Sequence, residues 1–328
     1  MLKVGIVGCG FMGRMHASVY GLLNDAQLSG GMDANGAQAA EFSEKFGVPV
    51  TESFEELLEW GVDAVDICLP THLHSRFTQM AAQAGRHVLC EKPMALNLQE
   101  ADAMIEACAK ANVGLMIGHC IRFWPEYAYL KRITDERMLG NLLSINLTRY
   151  GEFPHWSTDN WMADEKKSGG GVLDMHIHDT DYVLYLLGEP LEMVSFGSVD
   201  ERGPCHVFTT MRYPNCVAHL EGGWNLPSLT PFKMAFRAIF ENGAAIMDGG
   251  PLTIFENGKQ PMQPSFEQMS AEGGGNISNL GGYFHEIEYF VRCLNSGQPF
   301  EIVTPQSSRL SLKTALEEIA QIRAHRSR

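Results

Sequence analysis

The sequence predicts an α/β protein of two domains: a doubly wound parallel sheet at the N-terminus, then an α/β domain built on a large, mostly antiparallel, open-faced sheet. Three observations carry this. Short apolar runs alternate with helical stretches over the first 120 residues, as parallel βαβ units require. A glycine turn, Gly8-Cys9-Gly10-Phe11-Met12-Gly13, separates the first run from the first helical stretch. Beyond residue 120, longer segments alternate apolar and polar side chains at period two. The expected domains are 1–120 and 121–328.

In the first domain the strand candidates are Val4 to Val7, Leu28 to Met32, Ala64 to Leu69, His87 to Cys90 and Leu115 to Ile117. They are continuously apolar, as strands covered on both faces are. Helical stretches Arg14 to Leu23, Ala37 to Phe46, Phe54 to Trp60, Ser75 to Ala84 and Leu98 to Ala111 lie between them. In the second domain the strand candidates are Leu142 to Tyr150, Val207 to Tyr213, Val217 to Trp224, Lys233 to Phe240 and Leu252 to Glu256. Turns such as Tyr213-Pro214-Asn215 and Glu256-Asn257-Gly258 favour antiparallel pairing. Leu143, Ile145 and Leu147 alternate with Ser144, Asn146 and Thr148, giving one apolar face; the other is expected to meet a second subunit. Gly169 to Leu187 opens with three glycines and then reads as helix; Gln263 to Gly282 reads as a surface loop. Amphipathic helices are expected over Tyr283 to Leu294 and Gln306 to Ala324.

Composition excludes several functions. With 39 acidic against 25 basic residues and a net charge of −14, the chain repels a phosphate backbone, so no nucleic acid partner is expected. No apolar run approaches the roughly 20 residues of a membrane helix. Eight cysteines without a CxxC pair read as reduced structural thiols of a cytoplasmic protein.

The spacing Gly8-x-Gly10-x-x-Gly13 says little alone, but between a strand and a helix it has a mechanism. Glycines permit a tight turn and close backbone approach, and the helix N-terminus receives a pyrophosphate. Asp33, 20 residues past Gly13, closes the second strand, where a carboxylate binds ribose hydroxyls and repels a 2′-phosphate; NAD is expected over NADP. Two more loops follow strands and should face the same ligand: Leu69-Pro70-Thr71-His72-Leu73-His74 and Glu91-Lys92-Pro93.

Together with Arg122-Phe123 and with Gly169-Gly170-Gly171, Asp174 and His178, these motifs resemble, in kind and order, the family of glucose-fructose oxidoreductase and inositol dehydrogenase. The resemblance implies a Rossmann domain and an open-faced domain whose sheet joins subunits into a homodimer or homotetramer. It implies a nicotinamide-dependent dehydrogenase acting on a secondary alcohol of a sugar, inositol or related polyol. Thr71 and His74 would line the cofactor together with Gly8, Gly10, Phe11, Met12, Gly13, Asp33, Leu69, Pro70 and Arg122. Glu91 and Lys92 would sit near the nicotinamide, with a cis Lys92-Pro93 bond. Arg122 and Trp161 would line the cleft between domains, and Asp174 and His178 would hold and deprotonate substrate hydroxyls.

Alcohol oxidation removes a hydride and a proton, so a base is needed. Lys92 serves if its pKa is lowered; burial and a cationic nicotinamide would lower it, and a nearby Glu91 would raise it. His178 needs less tuning. Which of the two takes the proton first stays open. On a regular helix Asp174, His178 and Asp181 share one side, with Asp181 expected to be structural. His176 replaces a small residue usual in the family. Asp174-Met175-His176-Ile177-His178-Asp179 mimics a metal cluster, yet helical residues two apart point about 200° apart, so no metal is expected. His155, Trp156 and Trp161 form either a lid or packing, and Cys216 and His219 read as sheet residues. Two alternatives stand beside the dehydrogenase: a redox-neutral NAD-dependent glycosidase, and a non-catalytic NAD- or sugar-sensing regulator.

Overall fold

The computed structural model describes residues 1–155, 157–267 and 280–326. Trp156 and most of the expected loop from Gln263 to Gly282 therefore lie outside the described residues. The chain forms two compact units, Met1–Phe123 with 280–309, and Trp124–Glu267 with the C-terminal residues from Leu310.

The first unit contains β1 (Leu2–Val7), α1 (Phe11–Tyr20), β2 (Ala26–Met32), α2 (Gly36–Phe46), β3 (Val50–Thr51), α3 (Phe54–Glu59), β4 (Ala64–Ile67), α4 (His74–Gln83), β5 (His87–Glu91), α5 (Leu98–Ala111) and β6 (Leu115–Gly118). The six strands pair in parallel in the order β3-β2-β1-β4-β5-β6. This is the doubly wound sheet expected, with its reversal of strand order between β1 and β4. Asn35, Ser53 and Asn97 cap α2, α3 and α5 by accepting backbone N–H bonds, which explains where those helices begin. The N-cap of helix α1 is a glycine, Gly10, which supplies no side-chain cap.

The second unit contains α6 (Pro125–Asp135), β7 (Leu142–Glu152), α7 (Glu165–Ser168), α8 (Ile177–Leu187), β8 (Glu192–Asp200), β9 (Gly203–Arg212), β10 (Val217–Leu226), β11 (Lys233–Phe240), β12 (Gly243–Met247) and β13 (Thr253–Glu256). Its seven strands run β13-β12-β11-β7-β10-β9-β8, antiparallel except for the β7–β10 pair. One face is covered by α6 and α8, where the Tyr127 ring meets Phe236 and Tyr182 edge-on. The other leaves Val194, Phe208 and Val217 exposed. The alternation in β7 differs from expectation at its start: Leu142 is buried and Leu143 exposed, while Ile145 and Leu147 are buried. A register shift causes this, because Ile239 pairs with Ser144 but the next residue, Phe240, pairs with Leu142.

The last helices are α9 (Gly281–Ser296) and α10 (Pro305–Arg326). The expectation of one uninterrupted second domain from 121 to 328 is corrected here. Leu280, Ile287, Phe290 and Val303 share a core with Val4, Ile6 and Tyr20, so residues 280–309 belong to the first unit. An apolar helix face names no partner, which is why the sequence left this return unseen. No described helix is long and apolar enough to cross a membrane, and none of the eight cysteines forms a disulfide.

Candidate functional site

The carboxyl ends of β1, β2, β4 and β5 gather most of the expected cofactor residues, and each loop there has a local reason for its shape. Gly8 takes φ +101°, open to glycine at little cost, and a Cβ on Gly13 would fall 1.9 Å from the Gly8 carbonyl oxygen. The turn thus requires both glycines. Phe11 and Met12 open α1 and are partly exposed, as is Gly10 before them. Asp33 follows β2; its Oδ2 accepts the Cys9 N–H at 2.8 Å and its Oδ1 the Asn35 N–H at 2.8 Å. The carboxylate is pinned beside the glycine turn, and each oxygen keeps a lone pair for a further donor.

These features fit a dinucleotide. An uncapped helix N-terminus, with no acidic residue in its first turn, offers backbone N–H groups to a pyrophosphate, and the fixed carboxylate at the end of the second strand suits ribose hydroxyls.

The two other loops are tied together. Thr71 is buried at the start of a 3-10 turn, Thr71–Leu73, that leads into α4. Leu69 and Pro70 before it are partly exposed. His74 is 1% exposed, with Nε2 2.7 Å from the Leu69 carbonyl and Nδ1 2.9 Å from the Pro93 carbonyl. Burial lowers its pKa, against the pull of those carbonyls and of Glu91. His74 therefore braces one loop against the other through both ring nitrogens. Lys92-Pro93 is cis, and Lys92 is partly exposed. The Glu91 carboxyl, 6% exposed, turns back to accept the Lys92 backbone N–H at 3.0 Å.

Arg122 sits in the 3-10 turn Cys120–Phe123 and is 4% exposed. Its Nη1 donates to the Ile302 carbonyl at 2.6 Å and to Ser307 Oγ at 3.1 Å, clamping the returning 280–309 segment.

In the second unit the three glycines serve conformation and clearance: Gly169 and Gly170 take φ +78° and +80°, and a Cβ on Gly171 would crowd Trp224. The next five residues, Val172–His176, form a π-helical turn that runs into α8. From Val172 to Leu187 nearly everything is buried; the partly exposed positions are Asp174, Met175, His178, Tyr185 and Leu187. The buried polar side chains each have a partner, His176 through Nε2 alone. Asp179 receives Arg149 in a bidentate pair at 3.1 and 2.9 Å, Glu318 accepts Thr180 Oγ1 at 3.0 Å and lies 3.1 Å from His176 Nε2, and Ser311 Oγ donates to Asp181 at 2.7 Å.

Asp174 and His178 thus stay accessible while Asp181 faces inward. The expected common face of all three is not kept, since Asp181 is buried against Ser311. His176, the unusual residue, points into the core against Gly222, where a Cβ would lie 2.4 Å from Nδ1. Trp161 packs beside Phe153, Met162, Cys205 and Trp224. Sequence reasoning missed His16, whose Nε2 lies 3.1 Å from Glu91 Oε1; a histidine on the buried face of the first helix carried no local signal.

A parallel sheet in this order, with an uncapped glycine turn and a carboxylate after β2, defines a dinucleotide-binding fold. The chain belongs to the GFO/IDH/MocA oxidoreductase family: residues 2–119 match its "Oxidoreductase family, NAD-binding Rossmann fold" domain and residues 127–246 its C-terminal domain. It is 34% identical to myo-inositol 2-dehydrogenase from Thermotoga maritima over 59% of this chain and 57% of that one. It is 30% identical to 2,7-anhydro-N-acetylneuraminate hydratase from Escherichia coli over 68% of this chain and 62% of that one. Each alignment thus spans less than two thirds of the curated relative. Among solved structures, UDP-N-acetylglucosamine 3-dehydrogenase from Acidithiobacillus ferrooxidans superposes with a TM-score of 0.81 at 26% identity, covering 98% of both chains.

Proposed function

We propose that this protein exchanges a hydride between a nicotinamide cofactor, NAD in preference to NADP, and a secondary alcohol of a sugar, inositol or related polyol. The observation that carries the reading is a buried helix that keeps Asp174 and His178 accessible beside a π turn. π turns inside helices are common at functional sites. Relatives named inositol and sugar dehydrogenases point the same way.

The bound nicotinamide would supply the hydride acceptor or donor. Backbone N–H groups at the start of α1 would hold the pyrophosphate and Asp33 the ribose, where its charge disfavours a 2′-phosphate. Lys92 would move the proton at the reacting hydroxyl; Asp174 and His178 would orient neighbouring hydroxyls, His178 being the second candidate for the proton. Trp161 would offer its ring to the polyol. Val194, Phe208 and Val217 on the open sheet face would join copies of the chain into a homodimer or homotetramer.

Lys92→Met tests the assignment. Turnover of a polyol in a sugar and polyol panel should fall by at least about 10²-fold, with NAD affinity largely kept; full activity would refute the role. Running the panel with NADP in parallel tests Asp33. The hydratase relative favours one alternative, a redox-neutral reaction in which the cofactor is restored within each cycle. Product formation without net change in nicotinamide absorbance would identify it. Tight NAD binding with no turnover anywhere in the panel would instead identify a sensor.

A further inference from the structure

Beneath the Glu91-Lys92-Pro93 turn runs a line of buried polar groups drawn from three elements. His16 on α1 is fully buried, with Nδ1 2.8 Å from Asp66 Oδ2 on β4. Its Nε2 lies 3.1 Å from Glu91 Oε1 at the end of β5, somewhat off the line of a good hydrogen bond. Tyr20, one turn along α1, donates to the same Asp66 oxygen at 3.0 Å. Cys68 Sγ lies 3.5 Å from both His16 Nδ1 and Asp66 Oδ1. Glu91 Oε2 completes the line at the Lys92 backbone N–H.

Geometry constrains the charge of the ring. A neutral imidazole has one N–H and one lone-pair nitrogen, and here each nitrogen meets a carboxylate oxygen. The neutral form would set its lone pair against a carboxylate, whereas an imidazolium pairs with Asp66, sets its second N–H beside Glu91 and offsets one of the two carboxylate charges sunk in the sheet. Burial works against the charge on His16, but Asp66 outweighs it and holds its pKa well above the ordinary value. Burial likewise works against ionised Glu91, and His16, Lys92 and His74 outweigh it and hold the carboxyl below its ordinary range. From α9, Tyr283 sets its ring 6.2 Å from that of His16, and buried Glu286 adds negative potential. His16, Asp66 and Cys68 bring ligand-type atoms within 4.8 Å of one another, but burial keeps the Cys68 thiol protonated, so no thiolate is on offer to a metal.

We propose that His16 is a positioning residue, a standing imidazolium that fixes the Glu91 carboxylate on the Lys92 N–H and offsets part of its charge. The Lys92 amine then feels a screened carboxylate. A bare carboxylate at Glu91 would stabilise the ammonium form of Lys92 and hold its proton against release. The inference rests on the reading of Lys92 as the proton-moving group.

Two measurements test it. In protein labelled with ¹⁵N at histidine, the resonance lost in His16→Gln should show two protonated ring nitrogens in the wild type at neutral pH and above. A neutral ring at neutral pH would overturn the proposal whatever Lys92 does. In the kinetic arm, the pH limb of kcat for alcohol oxidation should move up by about one unit in His16→Gln, roughly a tenfold loss below the limb. It should return toward the wild-type position in the His16→Gln, Glu91→Gln double variant, with KM for NAD little changed. An unmoved limb in a folded His16→Gln would reduce His16 to packing and overturn the charge role. Should that variant fail to fold, wild-type histidine signals followed across pH, with His16 identified by its coupling to the Tyr283 ring, decide the ring's charge. If Lys92→Met keeps full activity, the Lys92 reading falls while the ¹⁵N result still judges the imidazolium.

Discussion

The two sheets handle polar residues in opposite ways. In the first unit β1 is buried almost end to end, and the polar side chain that enters its neighbour β4, Asp66, comes with His16 and Tyr20 as partners. In the second unit β7 alternates between buried and partly exposed positions, and the charge it buries, Arg149, is pinned to Asp179 of the covering helix. A sheet covered on both faces must bring partners in with its charges, whereas a half-open sheet can send polar side chains to solvent and reserve burial for the pairs that hold its helix.

Breaking the pair on the half-open sheet should have the largest effect on stability. Asp179→Ala leaves Arg149 buried without its carboxylate and should cost about 3–5 kcal/mol in urea unfolding; a loss below about 1 kcal/mol would mean that water reaches the site. Gly222→Ala drives a Cβ against His176 and should cost about 1–3 kcal/mol, partly relieved by also replacing His176 with alanine. The covered sheet is probed by pH. Folding raises the His16 pKa, so its ion pairs stabilise fully below the unfolded value of about 6.5 and weaken as pH climbs through the raised one. The gap in unfolding midpoint between wild type and His16→Gln should therefore narrow toward alkaline pH; a gap that widens would contradict the charge. The smallest change in folding should come from Phe208→Glu on the open face, within about 0.5 kcal/mol, while the mass by light scattering should drop to one chain if that face joins subunits.

Both sheets were legible in the sequence because period and glycine placement are local properties. The turn from Gly8 to Gly13 needs backbone shapes and clearances that only glycine meets, so its position could be read directly. What stayed hidden depends on distant partners or on small changes of phase. His16, Asp66 and Glu91 come from three elements, and no spacing rule links them. Asp181 is drawn inward by Ser311 of the last helix, and one register shift exchanges Leu142 for Leu143. Among the missed elements α6 left a faint signal, since it begins at Pro125, a good first helical residue, whereas two-residue β3 falls below any pattern length.

The return of residues 280–309 to the first unit has a consequence for how the chain is made. Leu280, Ile287 and Phe290 complete a core whose other half is built by the first strands and helix. During synthesis the N-terminal sheet waits, with an apolar face uncovered, until the whole of the second unit has been added and α9 follows it. A fragment ending at residue 123 would carry the glycine turn, Asp33 and Lys92 but lack the helix that shields their scaffold, so the nucleotide-binding half is not separable by a single cut.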